Sequence, residues 1–188
     1  LMDSLSDYNG ITICVSHNMG EVYRICSDLV VLNEGKVVAR GDKKSIFLNP
    51  PTLSAARLTG YKNISRARRI SENEIEAIDW GCVLNTGEYS GEVTHVGIRA
   101  HYIRLADGNN DTNVYKCWLS FVSETQFRMT VYLSIGKPPE RKTDYHIQWE
   151  VTKEKWQEIS RLPAPWDISL GIDRLILIND PCEKPGCE

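Results

Sequence analysis

Two patterns of apolar residues divide the chain. Up to about Lys62 the apolar positions come in short continuous runs or at helical spacing, and beyond it they alternate with polar ones. Leu1, Met2, Leu5 and Tyr8 are spaced for one face of a short helix stopped by Asn9-Gly10. Ile11-Thr12-Ile13-Cys14-Val15 is almost wholly apolar or β-branched, which predicts a strand buried on both faces in a parallel sheet. Ser16 or Asn18 can cap the helix that follows, with Glu21 placed three residues after Asn18 as in a capping box, and Met19, Val22, Tyr23 and Cys26 recur on one face. Residues 29–32 and 36–40 flank Glu34-Gly35 as a tight β-hairpin, with Gly41 expected to break the second strand. A short helix over 43–48 halts at Asn49-Pro50-Pro51, and another over 52–59 ends at Gly60. This alternation is α/β.

Past Lys62 the period is two. Tyr115, Cys117, Leu119 and Phe121, then Phe127, Met129, Val131, Leu133 and Ile135, surround a Ser123-Glu124-Thr125 turn and predict a long antiparallel hairpin with one buried face. Further strands are expected at 75–78, 82–84, 93–98, 103–106, 146–151, 168–170 and 175–178. One helix interrupts them, capped by Thr152, with Val151, Trp156 and Ile159 facing inward. The spacing argues for a compact barrel or sandwich, and a barrel removes exposed strand edges. Tryptophans 80, 118, 149, 156 and 166 are expected as its core and rim. The whole is α+β.

Composition narrows the function. The 188 residues are 41% hydrophobic and 25% charged with a net charge of −3, which speaks against a nucleic-acid partner. No apolar run approaches the roughly 20 residues that span a bilayer. The six cysteines show no CxxC spacing; they read as free thiols, and neither a disulfide frame nor a metal site is expected. Cys14, Cys82 and Cys117 fall in apolar strand patterns, while Cys182 and Cys187 lie in a polar tail expected to be flexible. His95 and His146, in strand contexts without spaced partners, are not read as ligands.

His17 stands between an apolar strand and a helix start, where an imidazole can donate to a phosphate oxygen, an interaction worth about 1.5–3 kcal/mol; the plainer reading is a cap. The order strand, Val15-Ser16-His17-Asn18, helix, Asp28, apolar strand, Asn33-Glu34-Gly35-Lys36, strand resembles the end of the nucleotide-binding subunit of an ABC transporter, closest to the molybdate/tungstate uptake ATPases. The run Leu58-Thr59-Gly60-Tyr61-Lys62-Asn63-Ile64-Ser65 is similar to the junction in that family, with Tyr61 where cysteine is frequent. Gly97-Ile98-Arg99-Ala100-His101-Tyr102-Ile103 resembles a motif of the TOBE-type accessory domains, which are OB-like barrels, with Ala100 where proline is common.

The resemblance implies that His17 is the switch histidine, which contacts the terminal phosphate of ATP and helps orient the attacking water; Asn18 replaces the usual aspartate. The GxxxxGK[ST] loop, the signature sequence and a strand ending in Asp-Glu are absent from the sequence. The expectation is therefore a carboxy-terminal piece, inactive alone: 1–62 the end of the nucleotide-binding domain, 63–180 a regulatory or dimerising barrel, 181–188 a flexible tail. ATP and magnesium belong to the full-length parent, with none expected here. The implied partners are a second copy and a membrane permease, placing the protein on the cytoplasmic face of the membrane and in oxyanion import.

Arg99 and His101 are candidate oxyanion ligands, since strand alternation would put them on one face and their donors suit a tetrahedral dianion; structural roles are the commoner alternative. Arg66, Arg68 and Arg69 face Glu72, Glu74, Glu76 and Asp79, read as solvated strands of opposite charge or, alternatively, an anion site. A self-contained intracellular small-anion sensor is the competing function. As a fragment of such a parent, the chain would leave apolar surface around Ile13, Val15 and Val31 without sheet partners and in need of covering, by self-association or by altered packing on the barrel.

Overall fold

A computed structural model describes residues 10–108 and 111–180. The expected helix at Leu1 to Tyr8 and the tail 181–188 lie outside them. The chain divides into two compact units after Gly60.

In the first unit, helix α1 (Met19–Ile25) leads into strands β1 (Asp28–Asn33) and β2 (Lys36–Asp42), then helices α2 (Lys43–Leu48) and α3 (Leu53–Leu58). β1 and β2 pair antiparallel around Glu34 and Gly35, whose φ values of 50° and 75° are those of a type I′ turn that matches the twist of the strands. Gly41 does not break β2; it pairs with Leu29. Asp42 and Thr52 cap α2 and α3, each side chain accepting from the backbone N–H three residues on. Val22, Leu29, Ala39, Ile46 and Ala55 form a small core, and Val31 packs against it.

The expected strand at 11–15 does not form. Ile11, Ile13 and Val15 are 92%, 87% and 94% exposed, and Cys14 is exposed with them. A strand exists through the ladder it makes with a neighbour, and among the described residues none pairs with this segment: β1 and β2 pair with each other. Its apolar pattern is a demand for partners that the described residues do not supply.

The second unit holds two five-stranded antiparallel sheets. One runs β12-β6-β3-β4-β5, from Leu175–Ile178, His95–Ile98, Asn63–Arg69, Glu74–Ala77 and Cys82–Asn85. The other runs β10-β9-β8-β11-β7, from Ile147–Thr152, Arg128–Ile135, Val114–Glu124, Trp166–Ser169 and Arg104–Leu105. Both sheets curl over one shared core that includes Trp80, Leu84, Val96, Ile98, Val131, Leu133, Ile147, Trp149 and Ile168. Helix α4 (Lys153–Ile159), capped by Thr152, contributes the fully buried Ile159. Of the tryptophans, 80, 149 and 166 are buried.

Side chains as well as ladders join the sheets. The Asn63 carboxamide on β3 donates to the Gln148 carbonyl at 2.8 Å and accepts its N–H at 2.6 Å, on β10. Asn113, just before β8 and at a φ of 55°, does the same to Asn85 at the end of β5, with distances of 2.8 and 2.7 Å. Each amide stands in for a peptide group that would otherwise be left unpaired.

The long hairpin β8–β9 carries a bulge between Leu119 and Phe121. Leu119 and Val122 pack against the core, whereas Phe121, expected on the buried face, stacks on Tyr132 at 3.9 Å and meets Tyr145 edge-on. One extra residue in one strand changes which side the following side chains face.

Candidate functional site

His17 occupies a bend between the extended segment and α1, with its ring exposed. The cap beside it is made by other residues. Asn18 Oδ1 accepts from the N–H of Gly20 at 3.0 Å and of Glu21 at 3.2 Å. Ser16 Oγ accepts from the Asn18 N–H at 3.0 Å and donates to the Glu21 carboxylate at 3.4 Å. Both candidate caps thus act together, and the imidazole projects from a fixed turn without taking part in the cap. Asp28 opens β1 opposite Asp42, and Glu34 is a turn residue. Of the groups a triphosphate requires, the segment offers one imidazole, and the sequence contains no phosphate-cradling loop or lysine of that motif.

In the second unit, Arg99 and His101 do not share a strand face. β6 ends at Ile98, Arg99 precedes a 3-10 turn over Ala100–Tyr102, and His101 belongs to that turn, so alternation does not reach them. The Arg99 guanidinium lies over the Tyr61 ring, 4.2 Å from its centroid. Burial pushes the Tyr61 phenol up, against the lowering pull of Arg99. His101 is exposed and edge-on to Tyr102 at 4.4 Å. Its pKa is lowered by burial of part of the ring, by Arg99 and by Arg128, with Glu150 opposing. Burial, helped by the two cations, therefore favours the neutral imidazole near pH 7, when it offers an anion one N–H donor rather than a charge.

The charged strands pair as solvated faces. Arg66 grips Asp79 through its side chain and backbone, with contacts of 2.6 to 2.9 Å, and Arg68 meets Glu76 at 2.6 Å. Arg69 instead donates to the carbonyls of Ser71, Tyr89 and Gly91. β3 loses β6 as a neighbour after Arg66, and Arg69 spans the gap, a cleft of about 530 Å³ lined by Arg66, Arg69, Thr94, His95 and Asp180 among others. Sequence reading grouped the three arginines but had no signal for the cleft, which distant segments build. Among the described residues no cluster of three or more His, Cys, Asp or Glu is placed to hold a metal ion, and no helix is long and apolar enough to cross a membrane.

No family model matches the chain. Its curated relatives are ATP-binding subunits of transporters. It is 39% identical over 56 residues to a methionine import ATP-binding protein of Histophilus somni, covering 29% of this chain and 16% of that protein. It is 36% identical over 58 residues to a putative ABC transporter ATP-binding protein of Geobacter sulfurreducens, covering 31% and 23%. Over a longer stretch of 153 residues it is 24% identical to a methionine import ATP-binding protein of Staphylococcus epidermidis, covering 71% and 45%. The chain thus spans less than half the length of these relatives. A solved structure of the cytoplasmic molybdate-binding protein ModG, with molybdate bound, aligns at 15% identity and a TM-score of 0.45, covering 62% of this chain and 95% of that one.

Proposed function

We propose that the chain is the carboxy-terminal part of an ABC-type ATP-binding subunit that drives import of an oxyanion, molybdate or tungstate. On this reading residues 1–62 close the nucleotide-binding domain and 63–180 form a regulatory or dimerising barrel. The observation that carries it is His17, an exposed imidazole on a turn held by the Ser16–Asn18–Glu21 hydrogen bonds, two residues before α1, in a chain whose relatives are transporter ATP-binding subunits. In phosphoryl transfer the protein's work is positioning and charge stabilisation, and His17 would supply a donor to the outermost phosphoryl oxygens. ATP and magnesium would be held by sequence that precedes Leu1 in the full-length protein, a second copy would complete the pair, and a permease would receive the stroke.

The test is turnover by a polypeptide that joins this chain to the sequence encoded ahead of it. His17→Ala should abolish ATP hydrolysis while leaving nucleotide binding in place; hydrolysis at the wild-type rate would overturn the assignment. Arg99 and His101 are the proposed contacts if the barrel takes the anion. The competing reading, a stand-alone anion sensor, draws on the second unit having a large core of its own. Calorimetric titration with molybdate, tungstate, sulfate and ATP separates the two: tight oxyanion binding that Arg99→Ala removes, in a protein with no ATP-gripping sequence encoded upstream, favours the sensor.

A further inference from the structure

The base of loop 136–146, between β9 and β10, is closed by a side chain where a ladder bond would be expected. The register of the two strands pairs Ile147 with Leu133, so its continuation would set Ile135 against Tyr145. Instead the Ile135 N–H donates to Nδ1 of His146 at 2.8 Å, and the His146 N–H bonds the Leu133 carbonyl at 2.8 Å. An imidazole nitrogen has taken the place of a backbone carbonyl. Relieved of that pairing, Tyr145 packs edge-on against Tyr132, with centroids 4.7 Å apart, on the outer side of the hairpin.

The rest of the loop is fastened by bonds that do not titrate near neutral pH. The Ser120 hydroxyl donates to the Lys142 carbonyl at 3.0 Å, Gly136 turns at a φ of 79° with its N–H on the Lys116 carbonyl, and Asp144 accepts from the Arg141 N–H. The bond at His146 demands an unprotonated Nδ1, because a charged imidazole is a donor at both nitrogens. Protonation would turn one donor toward another in a half-buried site.

We propose that His146 is a proton-operated latch: its neutral ring holds loop 136–146 across the outer face of the β8–β9 hairpin, and its protonation releases the loop from Phe121 and Tyr132. The charged groups that bear on the ring are Lys137 and Asp144, both in the loop. From β9 it meets the main chain of Ile135 and Leu133, and the Lys116 ammonium of β8 is held by Asp167. Burial and Lys137 lower the pKa of His146, against Asp144. With the folded pKa below the unfolded one, the latch contributes stability above the ordinary histidine range, and that contribution fades as pH falls through it.

Amide exchange of the full chain, followed by NMR at about pH 7.5 and about pH 5 and corrected for intrinsic rates, tests this. Protection of the Ile135 amide should fall by up to about tenfold per pH unit between the free ring's pKa and its lower value in the latched state, and level off below that, as one linked proton requires. His146→Asn, whose side-chain oxygen can accept the same bond without titrating, should keep protection at both values. Protection of Ile135 that is unchanged in the wild type across this range would overturn the proposal. So would a His146→Asn variant that loses protection in acid as the wild type does. The wild-type titration stands by itself if the variant does not fold.

Discussion

The side chain of Asn63 treats Gln148 as a neighbouring strand would, giving one hydrogen bond to its carbonyl and taking one from its N–H. Asn63 is 2% exposed, so water cannot readily replace it. β10 is an edge strand of its sheet, and the amide satisfies part of that edge inside the protein.

Replacing Asn63 by Leu should therefore cost more than a surface change. Leaving a buried donor and acceptor unpaired costs about 1–3 kcal/mol each, so a loss of about 2–6 kcal/mol is expected in urea unfolding followed by tryptophan fluorescence. Asn63→Asp keeps the acceptor but turns a carboxylate oxygen toward the Gln148 carbonyl, and should be at least as damaging at neutral pH.

Acid should weaken the Arg66–Asp79 clasp. Burial pulls the Asp79 carboxyl upward, but hydrogen bonds and charge from Arg66 outweigh it and leave the group below its ordinary value. A depressed carboxylate pKa contributes stability above the unfolded value and loses it as pH falls through the folded one. Both side chains are partly exposed, at 62% and 40%, so the contribution is at most about 1 kcal/mol. Unfolding measured from about pH 6 down to about pH 2 should show an acid limb that is shallower in Asp79→Asn.

Thiol chemistry should separate the cysteines. Burial pushes Cys82 and Cys117 up to about 12 each, and the thiolate is the reactive form. Alkylation of native protein near pH 8, mapped by mass spectrometry, should label the exposed Cys14 well before either core thiol. Rapid labelling of Cys117 without denaturant would contradict the packed core.

His17→Ala should leave folding alone. The ring is exposed and the helix cap is built from Ser16, Asn18 and Glu21, so the stability change should stay within about 0.5 kcal/mol. Asn18→Ala, which removes the cap, should cost about 1 kcal/mol in the same unfolding assay.

Local chemistry was legible in the sequence where the deciding residues adjoin one another. The Glu34-Gly35 turn, the caps at Asn18 and Thr152, and the period-two hairpin all follow from neighbours a few positions apart. The segment at Ile11 to Val15 was misread because hydrophobicity announces that a strand seeks partners, not that it has them. Arg99 and His101 were placed on one face by carrying strand alternation three residues past the end of β6 at Ile98, into the turn that begins at Ala100. The seams at Asn63 and Asn113 left no trace in the sequence, since an asparagine that bridges sheets across 85 positions looks like any polar residue at a strand start.

The irregularity beside Ser120 bears on how the hairpin tolerates change. Odd-numbered side chains point inward before it and even-numbered ones after it, because Ser120 is the surplus residue: Leu119 pairs with Leu133 and Phe121 with Tyr132. Removing Ser120 would leave Leu119, Phe121 and Val122 on the faces they already occupy, whereas removing a residue from the regular stretch on either side would turn core side chains to solvent. Deletions should be accepted at this one position and resisted along the rest of the strand.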